Sequence, residues 1–81
     1  MEIETLLFGP AVDAAGTDRV TITLPERATA AEALAALAEQ HPRLAQMVGF
    51  GRLAVNHEYA APDQRLTPMD EVALISLVSG G

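Results

Sequence analysis

Apolar side chains recur along the first two dozen residues in the short rhythm of β-strands. Residues 2–8 carry Ile3, Leu6, Leu7 and Phe8, and their imperfect alternation predicts a strand buried on both faces in the middle of a sheet. Gly9-Pro10 interrupts it. Residues 11–15 then predict a short helical turn, with Gly16 closing it in a left-handed cap. In residues 19–24 the alternation is clean, Val20, Ile22 and Leu24 against Thr21 and Thr23, which predicts a strand with one solvated face that stops at Pro25. Residues 2–24 therefore read as a hairpin with a long connection.

The rhythm changes after residue 28. Thr29 and Glu32 have the spacing of a capping box, in which each satisfies an orphan amide of the other. Ala30, Ala33, Leu34, Leu37 and Ala38 form a stripe at helical spacing, and Pro42 stops the helix because it has no amide to donate. Alanines on that stripe let the helix approach a sheet closely. Residues 43–51 are less regular, with a turn of 3₁₀ helix expected around residues 44–47. Residues 53–55 predict a third strand and 56–58 a turn. Tyr59 starts a short fourth strand, residues 60–69 with two prolines are mostly loop, and residues 70–78 form the last strand.

The order is β-β-α-β-β-β with a single long helix. One helix covering one face of a mixed sheet of four to five strands buries these stripes economically, an α+β architecture of the β-grasp type. The 81 residues suffice for one such domain, read as residues 1–81 with a pliable Gly-Gly tail over residues 78–81.

Composition narrows the chemistry. Aromatic residues make up only 4%, so Leu, Val, Ile and Ala must build the core. Cysteine is absent, which excludes disulfides, thiolate metal sites and a nucleophilic thiol; any sulfur chemistry must use sulfur from elsewhere. The formal charge of −6 disfavours nucleic acid and suits a basic partner surface. All the cations are arginines (Arg19, Arg27, Arg43, Arg52, Arg65), so an activated acyl group on this chain finds no ε-amine on its own copies. An acidic, strand-like start is not a signal peptide, and no apolar run approaches the roughly 20 residues of a membrane span, so a cytoplasmic protein is expected. His41, at the predicted helix end, suits the helix dipole, and His57 suits an exposed turn. With Asp63 or Glu58 the two follow no metal-ligand spacing.

The end of the sequence carries the chemistry. Two glycines, Gly80 and Gly81, contribute no packing and raise the entropy of a terminus, a poor choice for stability alone. They suit a tail that threads a narrow channel and leaves its carboxylate sterically open. With an α-carboxyl pKa of about 3.5 the group is ionised at neutral pH and able to attack the α-phosphate of a nucleotide held by another enzyme. The acidic pair Asp70-Glu71 before the last strand has two readings, a soluble strand start or a surface that meets a basic partner.

These residues resemble the small subunit of molybdopterin synthase, the MoaD family of β-grasp sulfur carriers, over essentially the whole chain. The most specific part is residues 70–81, Asp-Glu-Val-Ala-Leu-Ile-Ser-Leu-Val-Ser-Gly-Gly, similar to a family ending of the form D-E-V-A-F-x-P-P-V-S/T-G-G. Phe8-Gly9, Ala14-Ala15-Gly16-Thr17 and the Ala54-Val55-Asn56 strand end add to it. Met69 departs from the usual Gly, Leu74 from Phe, and Ser76-Leu77 from Pro-Pro.

The resemblance implies a non-catalytic sulfur donor whose catalytic pocket lies on the large synthase subunit (MoaE-like). A ubiquitin-activating-type adenylating enzyme (MoeB-like) charges Gly81 with ATP, and a sulfur-transfer protein converts it to a thiocarboxylate. No cofactor binds this chain; ATP belongs to the activating enzyme. Gly80 threads the tail, and the partner interface comprises Phe8, Tyr59, Ile75, Asp70, Glu71, Val78 and Ser79. The bland alternative for Phe8, Tyr59 and Ile75 is ordinary core. The thiamine-pathway carrier is the alternative within the same chemistry, and a β-grasp binding module with an idle Gly-Gly end the alternative outside it.

Overall fold

The computed structural model describes residues 1–76, with Ser76 described by its backbone alone; the expectations for Val78, Ser79, Gly80 and Gly81 lie outside the described residues. Strand β1 (Glu2–Leu7) pairs antiparallel with β2 (Arg19–Thr23) and parallel with β5 (Val72–Ser76). Strand β3 (Gly51–Val55) pairs antiparallel with β5 and with β4 (Glu58–Tyr59), giving the order β2-β1-β5-β3-β4. Helix α1 (Pro10–Ala15) fills the connection between β1 and β2, and Gly16 closes it at φ 76°, the left-handed cap its sequence predicts.

The main helix, α2 (Ala30–Gln40), carries the capping box: Glu32 N donates to Thr29 Oγ1 at 3.2 Å, and Thr29 N donates to Glu32 Oε1 at 3.0 Å. Ala30, Ala33 and Leu37 face the sheet, where Ile3, Leu7, Ile22, Leu53, Val72 and Leu74 meet them in one buried cluster. After His41, a 3₁₀ turn (Pro42–Leu44) leads into α3 (Ala45–Gly49), so the segment expected to hold one turn of 3₁₀ is more helical than its sequence suggests. Leu44 seals the core from there. Gly51 has a strict steric reason: a Cβ would sit 2.7 Å from the Met47 carbonyl oxygen and 3.0 Å from Leu74 Cδ1. No helix among the described residues is long and apolar enough to cross a membrane.

Strand β1 corrects one expectation. It lies inside the sheet, but only Ile3, Thr5 and Leu7 are buried, while Glu2 and Glu4 are exposed and Leu6 is half-buried. Thr5 restores the alternation that its polarity hides. Among the described residues the helices cover one side of the sheet only, and the other side is open. Further bounds shift: β1 ends at Leu7 and β2 at Thr23, β3 begins at Gly51, β4 takes in Glu58, and β5 begins at Val72, after the turn that Asp70 closes.

The free edge of β2 is capped by side chains. The Gln40 amide accepts from Thr23 N and donates to Thr23 O, both at 2.9 Å, and His41 Nε2 donates to Thr21 O at 2.9 Å. The end of α2 thus takes the place of a neighbouring strand along part of an exposed edge.

Candidate functional site

The open face is built by strand register. Leu6 on β1 lies beside Ala73 on β5, Ala73 beside Ala54 on β3, and Ala54 beside Tyr59 on β4. One step further along β5, Ile75 pairs with Arg52. Small alanines in the middle and larger side chains around them leave a groove of about 420 Å³, lined by Leu6, Phe8, Ala54, His57, Tyr59, Glu71, Ala73 and Ile75. Ala73 is buried yet lies outside the helix-side core, as the floor of this groove.

The structure therefore brings together Phe8, Tyr59, Ile75 and Glu71 from the expected interface. Phe8 and Tyr59 are each 54% exposed and Ile75 is half-buried, so the ordinary-core reading of these three is wrong. Ile75 owes its place to phase: Val72 and Leu74 face the helix-side core, and the residue after Leu74 must face the other way. Tyr59 stands at the end of a tight hairpin whose central residues, Asn56 (φ 53°) and His57 (φ 71°), both take positive φ, the pattern of a type I′ turn.

Asp70 is engaged elsewhere. Its carboxylate accepts from Thr67 N at 2.9 Å and from Asn56 Nδ2 at 3.0 Å, locking the turn that feeds β5. Asn56 completes the lock, accepting from Glu71 N at 2.9 Å and donating its own amide to Glu71 O at 2.8 Å. The soluble-strand-start reading suits Asp70, whereas Glu71 turns its carboxylate to the groove rim, 3.2 Å from His57 Nε2. His41 and His57 serve different elements, and no cluster of metal-ligating side chains forms among the described residues.

Leu6, Ala54, Ala73 and His57 line the groove and Arg52 borders it, although none of them was expected at a partner interface. The signal existed: Arg52 and Ala54 alternate with core Leu53 and Val55, and Ala73 alternates with Val72 and Leu74. What was missing was the register that puts these positions side by side. Arg52 lays its guanidinium 4.8 Å from the centre of the Tyr59 ring.

The profile of the ThiS family matches residues 5–81. The molybdopterin synthase sulfur carrier subunit of Dictyostelium discoideum is 32% identical, the match covering 99% of this chain and 96% of that protein. The protein of the same name from Chlamydomonas reinhardtii is 34% identical, with 100% of both chains covered. Among solved structures, SAMP1 from Haloferax volcanii matches with a TM-score of 0.83 at 30% identity, covering 100% of each chain. A chain from the complex of subunits 1 and 2 of molybdopterin-converting factor from Helicobacter pylori shares the fold at a TM-score of 0.66 and 23% identity, also over 100% of each.

Proposed function

The chain belongs to the ThiS family, and from that premise we propose that it is the sulfur carrier subunit of a molybdopterin synthase, with the Gly81 carboxyl as the sulfur-bearing group. The observation that carries this reading is the apolar groove on the open sheet face. It is partly walled by Ile75 of β5, the strand that precedes Gly80-Gly81 in the sequence. A carrier needs a place for a partner to grip and an acyl group within reach of that grip. Extended backbone covers about 3.4 Å per residue, so a reaction centre up to about 20 Å from Ile75 is accessible to Gly81.

The chemistry follows from the carboxylate. A Gly81 oxygen attacks the α-phosphorus of ATP on an adenylating enzyme, pyrophosphate leaves, and a mixed acyl-phosphate anhydride forms. Sulfide displaces AMP directly. A persulfide on a sulfur-transfer protein does so through an acyl disulfide that a second thiol reduces. The resulting thiocarboxylate delivers its sulfur to a cyclic pyranopterin phosphate in the large subunit, and water returns the carboxylate. Dependence on ATP and on these partners fits a cytoplasmic site of action. Support for a large-subunit partner comes from the two-subunit Helicobacter pylori complex, and support for the pathway from the full-length relatives.

The test uses the intact chain with the activating enzyme of its own organism, ATP and a sulfur donor. Intact-mass measurement is expected to show one oxygen replaced by one sulfur, located at Gly81 by fragmentation. An unchanged mass, with an enzyme that charges another carrier in parallel, overturns the proposal. Co-purification of a thiazole synthase in place of a molybdopterin synthase large subunit moves the chain to the thiamine pathway.

A further inference from the structure

The groove is electrically lopsided. At its β5 entry end Glu4, Asp70 and Glu71 line an adjoining hollow with Arg19, three carboxylates to one guanidinium. Arg19 contacts Glu4 at 3.1 Å and Asp18 at 3.6 Å, and His57 contacts Glu71 at 3.2 Å; these pairs are exposed, so they leave the end acidic to an approaching partner. Beyond the other end, just outside the groove's lining, Arg52 stands beside Ile75 and over the Tyr59 ring, on the border with a second hollow lined by Ala30, Leu34 and Ala60. No carboxylate among the described residues forms an ion pair with Arg52, and the Tyr59 ring beneath the guanidinium holds the fork in place before anything binds.

An apolar plug seated on alanines has no preferred direction, because apolar burial is non-directional. Charge supplies the direction, since a plug turned end for end would set like charges against each other at both ends. Direction matters here because the chain runs on from the Arg52 end of the groove towards Gly81. We propose that Arg52 is the orientation-setting residue of docking. It pairs with a carboxylate of the partner while the acidic end takes a basic side chain, so the apolar plug between them seats in one direction only. The inference rests on the carrier reading, with the large synthase subunit as partner, and adds to it the chemistry of the partner surface: basic, apolar, acidic, in that order along β5.

The test is titration calorimetry of the intact chain with the large subunit from the same organism, over a range of salt. Arg52→Glu is expected to weaken binding by about tenfold or more, and Arg52→Gln by less. Arg52→Lys should recover part of the loss by restoring charge without the planar stack, and the differences should shrink as salt rises. Arg43→Glu, on the exposed 3₁₀ turn outside the groove, makes the same charge change and is expected to leave binding within about twofold. If Arg52→Glu, folded by circular dichroism, binds as the wild type does, or loses no more than Arg43→Glu, the inference is overturned while the carrier reading stands. A wild-type chain that binds no large subunit overturns both.

Discussion

Thr5 is wholly buried on the helix-facing side of β1, between Ile3 and Leu7 and opposite Val20 and Val72. Its hydroxyl has no hydrogen-bond partner. A buried hydroxyl left unpaired carries a desolvation cost of about 1–3 kcal/mol, and valine has nearly the same shape without the hydroxyl. Thr5→Val is expected to stabilise the fold by about 1 kcal/mol, read as a higher denaturant midpoint with an unchanged slope. A lower midpoint would mean that the hydroxyl is satisfied in solution. This residue also explains why β1 misleads as a sequence. A threonine at a core position breaks the hydrophobic count, and Leu6 and Phe8, apolar but on the open side, fill the gaps. Both line the open groove, a placement that no pattern within one strand can distinguish from burial in the core.

Among the elements, α2 was the most legible, because its start signal is local. Thr29 and Glu32 meet each other within one turn, and the structure repeats what their spacing states. Distant chain adds the rest: the Gln64 and Pro62 carbonyls accept from Ala30 N and Ala31 N, so the loop before β5 completes the cap. The hydrogen bonds from the Thr29 amide and hydroxyl hold the Glu32 carboxyl below its ordinary value of 4.5. A depressed carboxyl contributes stability that is present above its unfolded value and is lost as the pH falls through the lowered one. Wild type should therefore exceed Glu32→Gln in melting temperature at pH 7, with the gap narrowing as the pH is taken below 4.5. A gap constant down to pH 3 would show that the charge takes no part.

At the scale of the molecule the sheet divides its labour by face, and β5 shows the division in consecutive residues. Leu74 is fully buried in the helix-side core, and Ile75 lies on the groove. Leu74→Ala should cost about 2–5 kcal/mol in denaturant unfolding. Phe8→Ala, at a half-exposed position on the other face, should change stability by about 0.5 kcal/mol while weakening the large subunit's grip. Comparable stability losses from the two would deny that the open face is kept for binding.

Local sequence sufficed for the order of the strands, the capped helix and the alternating second strand, because each rests on interactions between residues close in the chain, and the β-grasp class was inferred from that order. The sequence also named the Gly80-Gly81 pair, which needs no fold to be noticed. Only the assembled sheet leaves one face uncovered among the described residues, and sets Leu6, Ala73, Ala54 and Tyr59, drawn from four strands, along one groove with Arg52 beside its end. The reason is physical. Side-chain period states which residues share a side of one strand, but only register, fixed by hydrogen bonds between segments far apart in the chain, states which strands' residues become neighbours.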